Sequence, residues 1–468
     1  MQQWKDRKVL VLGLGDTGLS MTRWLAARGA HVSVADTRAT PPHASALAEL
    51  PGVALSTGAY EASVFEGTDA IAISPGVDRR EPLVADAVRR GVPVVGDIEI
   101  FAGALSSISA KRSVRRPPVI AITGSNGKST VTAMAGEASR AAGWNTVVAG
   151  NIGLPVLDAL TPIEGGEAMP DVFVLELSSF QLESTASLHA DAATVLNITE
   201  DHLDRYDGIA GYAAAKARIF EGGGAQVLNR DDSWSMSMAL AGRSAVTFGL
   251  DAPRSENWGV IDKVIVHGAE RVMSLDELPV AGLHNAANAL AALALGHAIG
   301  LPVEGMVEGL RRFRGLPHRL EQVGELGGIT FFDDSKGTNV GATVAALNGM
   351  PRPVVLIAGG DGKGQDFSPL AAPIARQARA VVLMGRDADK IGAALNHCGV
   401  PLYYVKTMEE AAQRSFEVAR AGDAVLMSPA CASLDMFRDY AHRAEVFIAA
   451  VRRIEAGRQA TAQTTVNS

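Results

Sequence analysis

Short aliphatic and β-branched runs recur along the chain, each followed by a Gly-rich or polar loop and then by an Ala- and Leu-rich stretch with helical spacing. Strands that alternate with helices in this way predict an α/β protein with largely parallel sheets. A first block carries Lys8-Val-Leu-Val-Leu-Gly13, His31-Val-Ser-Val-Ala-Asp36, Ala70-Ile-Ala-Ile-Ser74 and Val92-Pro-Val-Val95. A second carries Val119-Ile-Ala-Ile-Thr123, Asp171-Val-Phe-Val-Leu-Glu176 and Ala192-Ala-Thr-Val-Leu-Asn197. The third has Ile329-Thr-Phe-Phe-Asp333, Pro353-Val-Val-Leu-Ile357, Ala380-Val-Val-Leu-Met384 and Ala424-Val-Leu-Met427. The blocks predict domains over residues 1–111, 112–317 and 318–455. From 456 to 468 no apolar period remains, and this tail is expected to be disordered.

Composition narrows the class. A chain of 468 residues exceeds one ordinary core, and 47% hydrophobic with 20% charged residues describes a packed protein rather than a disordered one. The formal charge of -8 argues against a nucleic-acid carrier, since phosphate backbones are held by clustered Lys and Arg. The one basic cluster, Lys111 to Arg116, sits beside Pro117-Pro118 and reads as a solvated linker. Cys398 and Cys431 lack metal-ligand spacing, which excludes a Cys-based zinc site and fits a reducing compartment. The N-terminus lacks a signal-peptide pattern and no apolar run reaches transmembrane length, so a cytoplasmic protein without membrane partners is expected.

Two loops point to nucleotides. Gly13-Leu-Gly-Asp-Thr-Gly18 follows a strand and opens a helix, with Asp36 further on, as the dinucleotide fingerprint requires. Glycines let the backbone approach a phosphate at a helix N-terminus, so NAD and any nucleoside diphosphate both remain open here. The loop Thr123-Gly-Ser-Asn-Gly-Lys-Ser-Thr130 is more specific: backbone amides cradle phosphates, Lys128 supplies a charge and the Ser129 hydroxyl can ligate Mg²⁺. Ile122 stands where the longer phosphate-loop pattern has its first Gly. The fold class expected is therefore α/β in three domains: Rossmann-like, then central P-loop ATPase-like with a mostly parallel sheet, then Rossmann-like. Glu176 and His202 lie at or beyond strand ends, where parallel sheets gather ligands, and could serve Mg²⁺. Lys216, in a helix stopped by Gly222-Gly-Gly224, reads from composition alone as a surface lysine.

Four segments together resemble the Mur ligase family and its glutamate-adding branch: Gly124-Ser-Asn-Gly-Lys-Ser-Thr130, Leu175-Glu-Leu-Ser-Ser-Phe-Gln-Leu-Glu183, Asn197-Ile-Thr-Glu-Asp-His-Leu-Asp-Arg-Tyr206 and Ser428-Pro-Ala-Cys-Ala-Ser-Leu-Asp435. The resemblance spans nearly the whole chain, and the shortened phosphate loop is a family feature. It implies that the first domain holds the uridine diphosphate of a substrate through Thr17, Asp36, Arg38, Ser74, Pro75 and Gly76, with Asn151 and Gln181 reaching it from the second. It assigns Gly124, Asn126, Gly127, Lys128, Ser129, Thr130, Asn285, Asn288, Arg319 and Asp334 to ATP. Two Mg²⁺ ions are implied, with Ser129, Glu176, His202 and a CO₂-derived carbamate on Lys216 as ligands. The catalytic set is then Lys128, Glu176, His202 and Lys216, and glutamate falls to Lys336, Thr338, Lys363, Ser433 and Tyr440. Asp16 departs from the family's apolar residue, and Tyr440 stands where the family usually has Phe.

The implied reaction joins D-glutamate to UDP-N-acetylmuramoyl-L-alanine through an acyl phosphate made with ATP, in a bacterial, cytoplasmic and monomeric enzyme of peptidoglycan synthesis. L-Glutamate as acceptor is an alternative, because residue types do not reveal chirality. A folylpolyglutamate synthetase-like ligase is another, opposed by the complete nucleotide-binding block before Gly124. An NAD-dependent dehydrogenase would leave Lys128, Ser129, Glu176 and His202 without a role.

Overall fold

A computed structural model of the chain, which describes residues 4–280 and 282–466, contains three sheets. Strands β1 (Lys8–Leu12), β2 (His31–Asp36), β3 (Ala54–Thr57), β4 (Ala70–Ile73) and β5 (Val94–Val95) pair in parallel, in the order β3-β2-β1-β4-β5. The chain runs outward from β1 through β3 and then crosses back to β4. The loop after β1 therefore opens at a topological switch point, where an open α/β sheet leaves a crevice.

The second sheet comprises β6 (Val119–Thr123), β7 (Thr146–Gly150), β8 (Val172–Glu176), β9 (Ala192–Val195), β10 (Ala225–Asn229), β11 (Ala245–Phe248), β12 (Trp258–Ile261), β13 (Val264–His267) and β14 (Glu270–Ser274). Its order is β14-β13-β12-β11-β10-β9-β6-β8-β7, parallel except for the antiparallel β12-β13-β14 meander. Central β6 pairs with β8 and β9, bringing Ile122 level with Glu176 and Thr123 level with Val195. Every residue of β6, β8 and β9 is buried, as expected for parallel strands covered on both faces.

The third sheet holds β15 (Glu321–Leu326), β16 (Ile329–Asp333), β17 (Val354–Gly359), β18 (Ala378–Met384), β19 (Leu402–Tyr404) and β20 (Ala424–Met427), ordered β15-β16-β20-β17-β18-β19. Only β15 is antiparallel, to β16. Alternate residues feed opposite faces: Leu356, Leu383 and Leu426 pack on one side, Val355, Val382 and Val425 on the other. Because β20 slots between β16 and β17, the loops that follow these three strands share one edge.

Two compact units divide the chain. One carries the first two sheets, ending at Ile198 and including Ala210–Glu277 and Ala287–Arg312. The other comprises Thr199–Ile209, Leu278–Ala286 and the chain from Phe313. Two short excursions from the expected central domain thus belong to the second unit.

Two local expectations differ from the structure. The basic segment is not simply a solvated linker: Lys111 and Arg112 end the helix Asp97–Arg112, Arg112 bonds the carbonyls of Ile163 and Glu167, and Arg116 pairs with Asp191. The tail after Glu455 continues the helix Tyr440–Val466, with the Arg458 guanidinium 5.4 Å from the Phe416 ring centroid. Ala, Arg and Gln propagate a helix already nucleated by packed turns, even without an apolar face. Residues 467 and 468 lie outside the described residues. No helix of the described residues is long and apolar enough to cross a membrane.

Candidate active site

The turn after β1 is built for close approach. Gly13 adopts φ +83, and a Cβ on Gly18 would lie 1.8 Å from the Gly13 carbonyl oxygen, so only hydrogen there lets the helix Asp16–Ala26 seat against the turn. The Ser74 hydroxyl donates to Gly13 O at 2.9 Å, tying the ends of β1 and β4 together. Asp36, at the end of β2, accepts from Leu14 N at 2.7 Å and from the Arg38 backbone and guanidinium. The Arg38 hydrogen bond lowers its carboxyl to about 2. Thr17 and Pro75 are half-buried and Gly76 exposed at the same edge. Asp16, the acidic departure, points outward and pairs with His43 Nε2 at 2.7 Å.

Gln181 is 1% exposed, its Nε2 donating to Asp97 Oδ2 at 2.9 Å and its Oε1 accepting from Ser178 N at 3.0 Å in a capping box. It joins the helix Asp97–Arg112 to the segment after β8. Asp97 is buried, its Oδ1 has no hydrogen-bond partner among the described residues, and burial raises its carboxyl to about 6.

The phosphate loop leaves β6 with Gly124 at φ +152 and enters the helix Lys128–Ala141 through Gly127 at φ +84. Lys128 Nζ donates to the carbonyls of Gly124 and Ser125, each at 2.8 Å, and Ser129 and Thr130 begin the helix. Asn197, beyond β9, clamps Asn126 by accepting from its N–H at 2.8 Å and donating to its carbonyl at 3.1 Å. A Cβ on Gly127 would meet Asn288 Oδ1 at 2.7 Å, which places that amide against the loop. Glu176 ends β8 at 1% exposure, with Oε1 accepting from Asn151 Nδ2 at 3.0 Å.

Lys216 corrects the surface reading. Its side chain is 1% exposed, its ammonium donates to Thr123 Oγ1 at 3.3 Å and it stands 4.6 Å from the Tyr212 ring centroid. Composition misled because Ala- and Gly-rich neighbours say nothing of which helix face meets the phosphate-loop strand.

In the second unit, Asp334 follows β16, accepts from Ser428 Oγ at 2.7 Å and is raised by burial to about 7. Lys336 Nζ sits 3.6 Å from the Tyr440 ring centroid, and Ser433 is buried in the loop after β20. Thr338 is half-buried on the same loop as Lys336. Lys363 pairs with Asp201, whose other oxygen accepts from Asn339 Nδ2 at 3.2 Å. His202, held at φ +55, has its backbone N–H on Asp201 Oδ1 at 3.0 Å. Arg319 lies within electrostatic reach of Asp334, and Asn285 N bonds Gly282 O at 3.0 Å.

Comparison with known proteins identifies this arrangement. Residues 7–96 match the Mur ligase MurD-like N-terminal domain, 122–296 the Mur ligase middle domain and 318–431 the Mur ligase glutamate ligase domain. The UDP-N-acetylmuramoylalanine–D-glutamate ligase of Thiobacillus denitrificans is 59% identical over 97% of this chain and 98% of its own. The chain belongs to the Mur ligase family. The protein of the same name from Nitrosospira multiformis is 58% identical over 97% of each chain. Among solved structures, the UDP-N-acetylmuramate–alanine ligase of Thermotoga maritima aligns with TM-score 0.59 at 19% identity, over 96% of this chain and 99% of that one, a likeness of fold.

Mur ligases use ATP with Mg²⁺. The first unit of this Mur ligase brings together Gly124 to Thr130, Glu176, Lys216 and Asn288, and also Thr17, Asp36, Arg38, Ser74 to Gly76, Asn151 and Gln181. His202, Asn285, Arg319, Asp334, Lys336, Thr338, Lys363, Ser433 and Tyr440 belong to the second. Sequence reasoning missed Asn197, Asp201 and Arg443. The first two stand in the motif Asn197 to Tyr206, which offered a signal; Arg443, one more basic residue on a helix, offered none.

Proposed function

We infer that this Mur ligase joins D-glutamate to UDP-N-acetylmuramoyl-L-alanine with cleavage of ATP to ADP and phosphate, in peptidoglycan precursor synthesis. The observation that carries the reading is the near-full-length identity with D-glutamate ligases, which extends through the acceptor-binding third domain. The D enantiomer follows from the names of those relatives.

The terminal carboxylate of the UDP-linked substrate takes the γ-phosphoryl group of ATP, giving an acyl phosphate and ADP. Lys128 and the amides of residues 124–130 face the phosphates and offset charge as it spreads over the transferring group. The glutamate amine then attacks the acyl carbon, loses a proton, and phosphate leaves from the tetrahedral intermediate. Lys336, Thr338, Lys363 and Ser433 take the glutamate carboxylates, and ammonium and hydroxyl donors suit that task. Thr17, Asp36, Arg38 and the Ser74-Pro75-Gly76 turn take the uridine nucleotide.

The donors present fit Mg²⁺: a buried carboxylate on Glu176 and the Ser129 hydroxyl are hard oxygen ligands beside the phosphate loop. Bound there, Mg²⁺ supplies charge neutralisation for the phosphates. We assign a second ion to His202 and to Lys216 as a carbamate. Addition of the neutral Lys216 amine to CO₂ forms the N–C bond and releases a proton, turning a buried cation into an anionic oxygen donor. What supports this is placement: Lys216 is 1% exposed and its nitrogen lies against Thr123 Oγ1 at the end of the strand that leads into the phosphate loop.

The test is phosphate release from ATP with UDP-N-acetylmuramoyl-L-alanine and each glutamate enantiomer, omitting one component at a time. Release that requires all three, with D-glutamate preferred in kcat/KM, is expected. Release without the UDP-linked substrate, or preference for L-glutamate, would overturn the assignment.

A further inference from the structure

Arg443 is 2% exposed, yet it has no carboxylate partner among the described residues. Its three bonds run to two of the loops that carry the proposed acceptor residues. Nε donates to Ser335 Oγ at 3.0 Å, Nη2 to Ser335 O at 2.7 Å and Nη1 to Cys431 O at 3.0 Å. Ser335 is fully buried between Asp334 and Lys336, and its hydroxyl passes the link on to Tyr440 O at 2.7 Å. Cys431 lies two residues before Ser433 in the loop after β20. The guanidinium therefore fixes, from one rigid fork on the first turn of the helix Tyr440–Val466, the positions of Lys336, Ser433 and the Tyr440 ring on which Lys336 rests.

Burying this charge is costly: desolvation lowers Arg443 to about 10, against the opposing field of Cys431, Asp435, Asp333 and Asp334. A group kept at such cost has a task that a smaller or neutral side chain would not perform. We propose that Arg443 is a positioning residue for the acceptor amino acid, setting the spacing of the groups that grip its two carboxylates without touching it. This rests on the D-glutamate reading above. Lysine keeps the charge but offers one nitrogen where three separate bonds are needed.

The experiment is steady-state ligation by full-length Arg443→Lys and Arg443→Ala, varying D-glutamate and ATP separately, with and without added guanidinium chloride at low millimolar concentration. Calorimetry with the UDP-linked substrate checks that the first unit is folded. The expected result is a glutamate KM raised about tenfold or more, with ATP KM within about twofold. Guanidinium is expected to lower the glutamate KM of Arg443→Ala and to leave Arg443→Lys unchanged. Glutamate and ATP KM rising together, or wild-type values in Arg443→Lys, would overturn the proposal while the ligase reading stands. If wild type ligates no glutamate at all, it is the reading that fails. Should Arg443→Ala fail to fold, the KM split in Arg443→Lys decides.

Discussion

At the scale of single residues, burial decides chemistry. Lys216 sits on the Thr123 hydroxyl, shielded from solvent, and the proposed carbamate on its amine is tested there. Lys216→Ala is expected to bring turnover close to background, with partial recovery in formate or acetate. In ¹³CO₂-equilibrated wild type a carbamate carbon resonance should appear that the variant lacks; its absence from wild type would refute the modification. Lys363→Ala should raise the glutamate KM far more than the ATP KM if its ammonium, which pairs with Asp201, takes a glutamate carboxylate as proposed. Asp97 makes a pH prediction. Its folded value, about 6, lies above the unfolded one, so the folded state binds the extra proton. Its contribution is fully present below about pH 4 and lost as pH rises to about 6, on the order of 2–3 kcal/mol in all. Urea unfolding of Asp97→Asn between pH 4 and 7 should show a flatter pH dependence than wild type.

At the scale of elements, loops work because strand order brings their ends together. Ser74 reaches Gly13 since β4 pairs directly with β1, and Asn197 reaches Asn126 since β9 pairs with β6. The helix Asp16–Ala26 depends on Gly18, where an added Cβ would strike the Gly13 carbonyl. Gly18→Val is expected to push the helix off the turn, costing about 1–3 kcal/mol of stability. UDP-substrate affinity should fall with it, and calorimetry showing normal affinity would separate the turn from nucleotide binding.

At the scale of the whole molecule, the phosphate loop and the Gly13 turn belong to different sheets, so the seats proposed for the two nucleotides are separate. Lys128→Ala should lower kcat by about 10²- to 10³-fold while leaving UDP-substrate affinity within about twofold. Equal loss of both, measured by phosphate release and calorimetry, would show one shared site.

The α/β class, the order of blocks and the phosphate loop were legible in the sequence because they depend on local chemistry: short apolar runs bounded by glycine, and a Gly-Lys-Ser turn opening a helix. The Leu175 to Glu183 and Ser428 to Asp435 segments were legible as resemblance, which carries a family's geometry along with its letters. What the sequence left open depended on faces and partners. A surface lysine and the buried Lys216 have the same local pattern, and only the reach of its side chain to Thr123 at the end of β6 distinguishes them. Gln181 falls to the UDP-linked substrate by resemblance alone, and only the tertiary structure decided that its amide also rests on Asp97, 84 positions earlier in the chain. The tail past Glu455 lacked an apolar period but inherited its helix from packed turns before it. Arg443 was invisible for the same reason: its partners Ser335 and Cys431 lie on two loops that meet only because β16 and β20 are neighbours. Hydrogen bonds across 100 residues follow from sheet order, which local propensity does not encode.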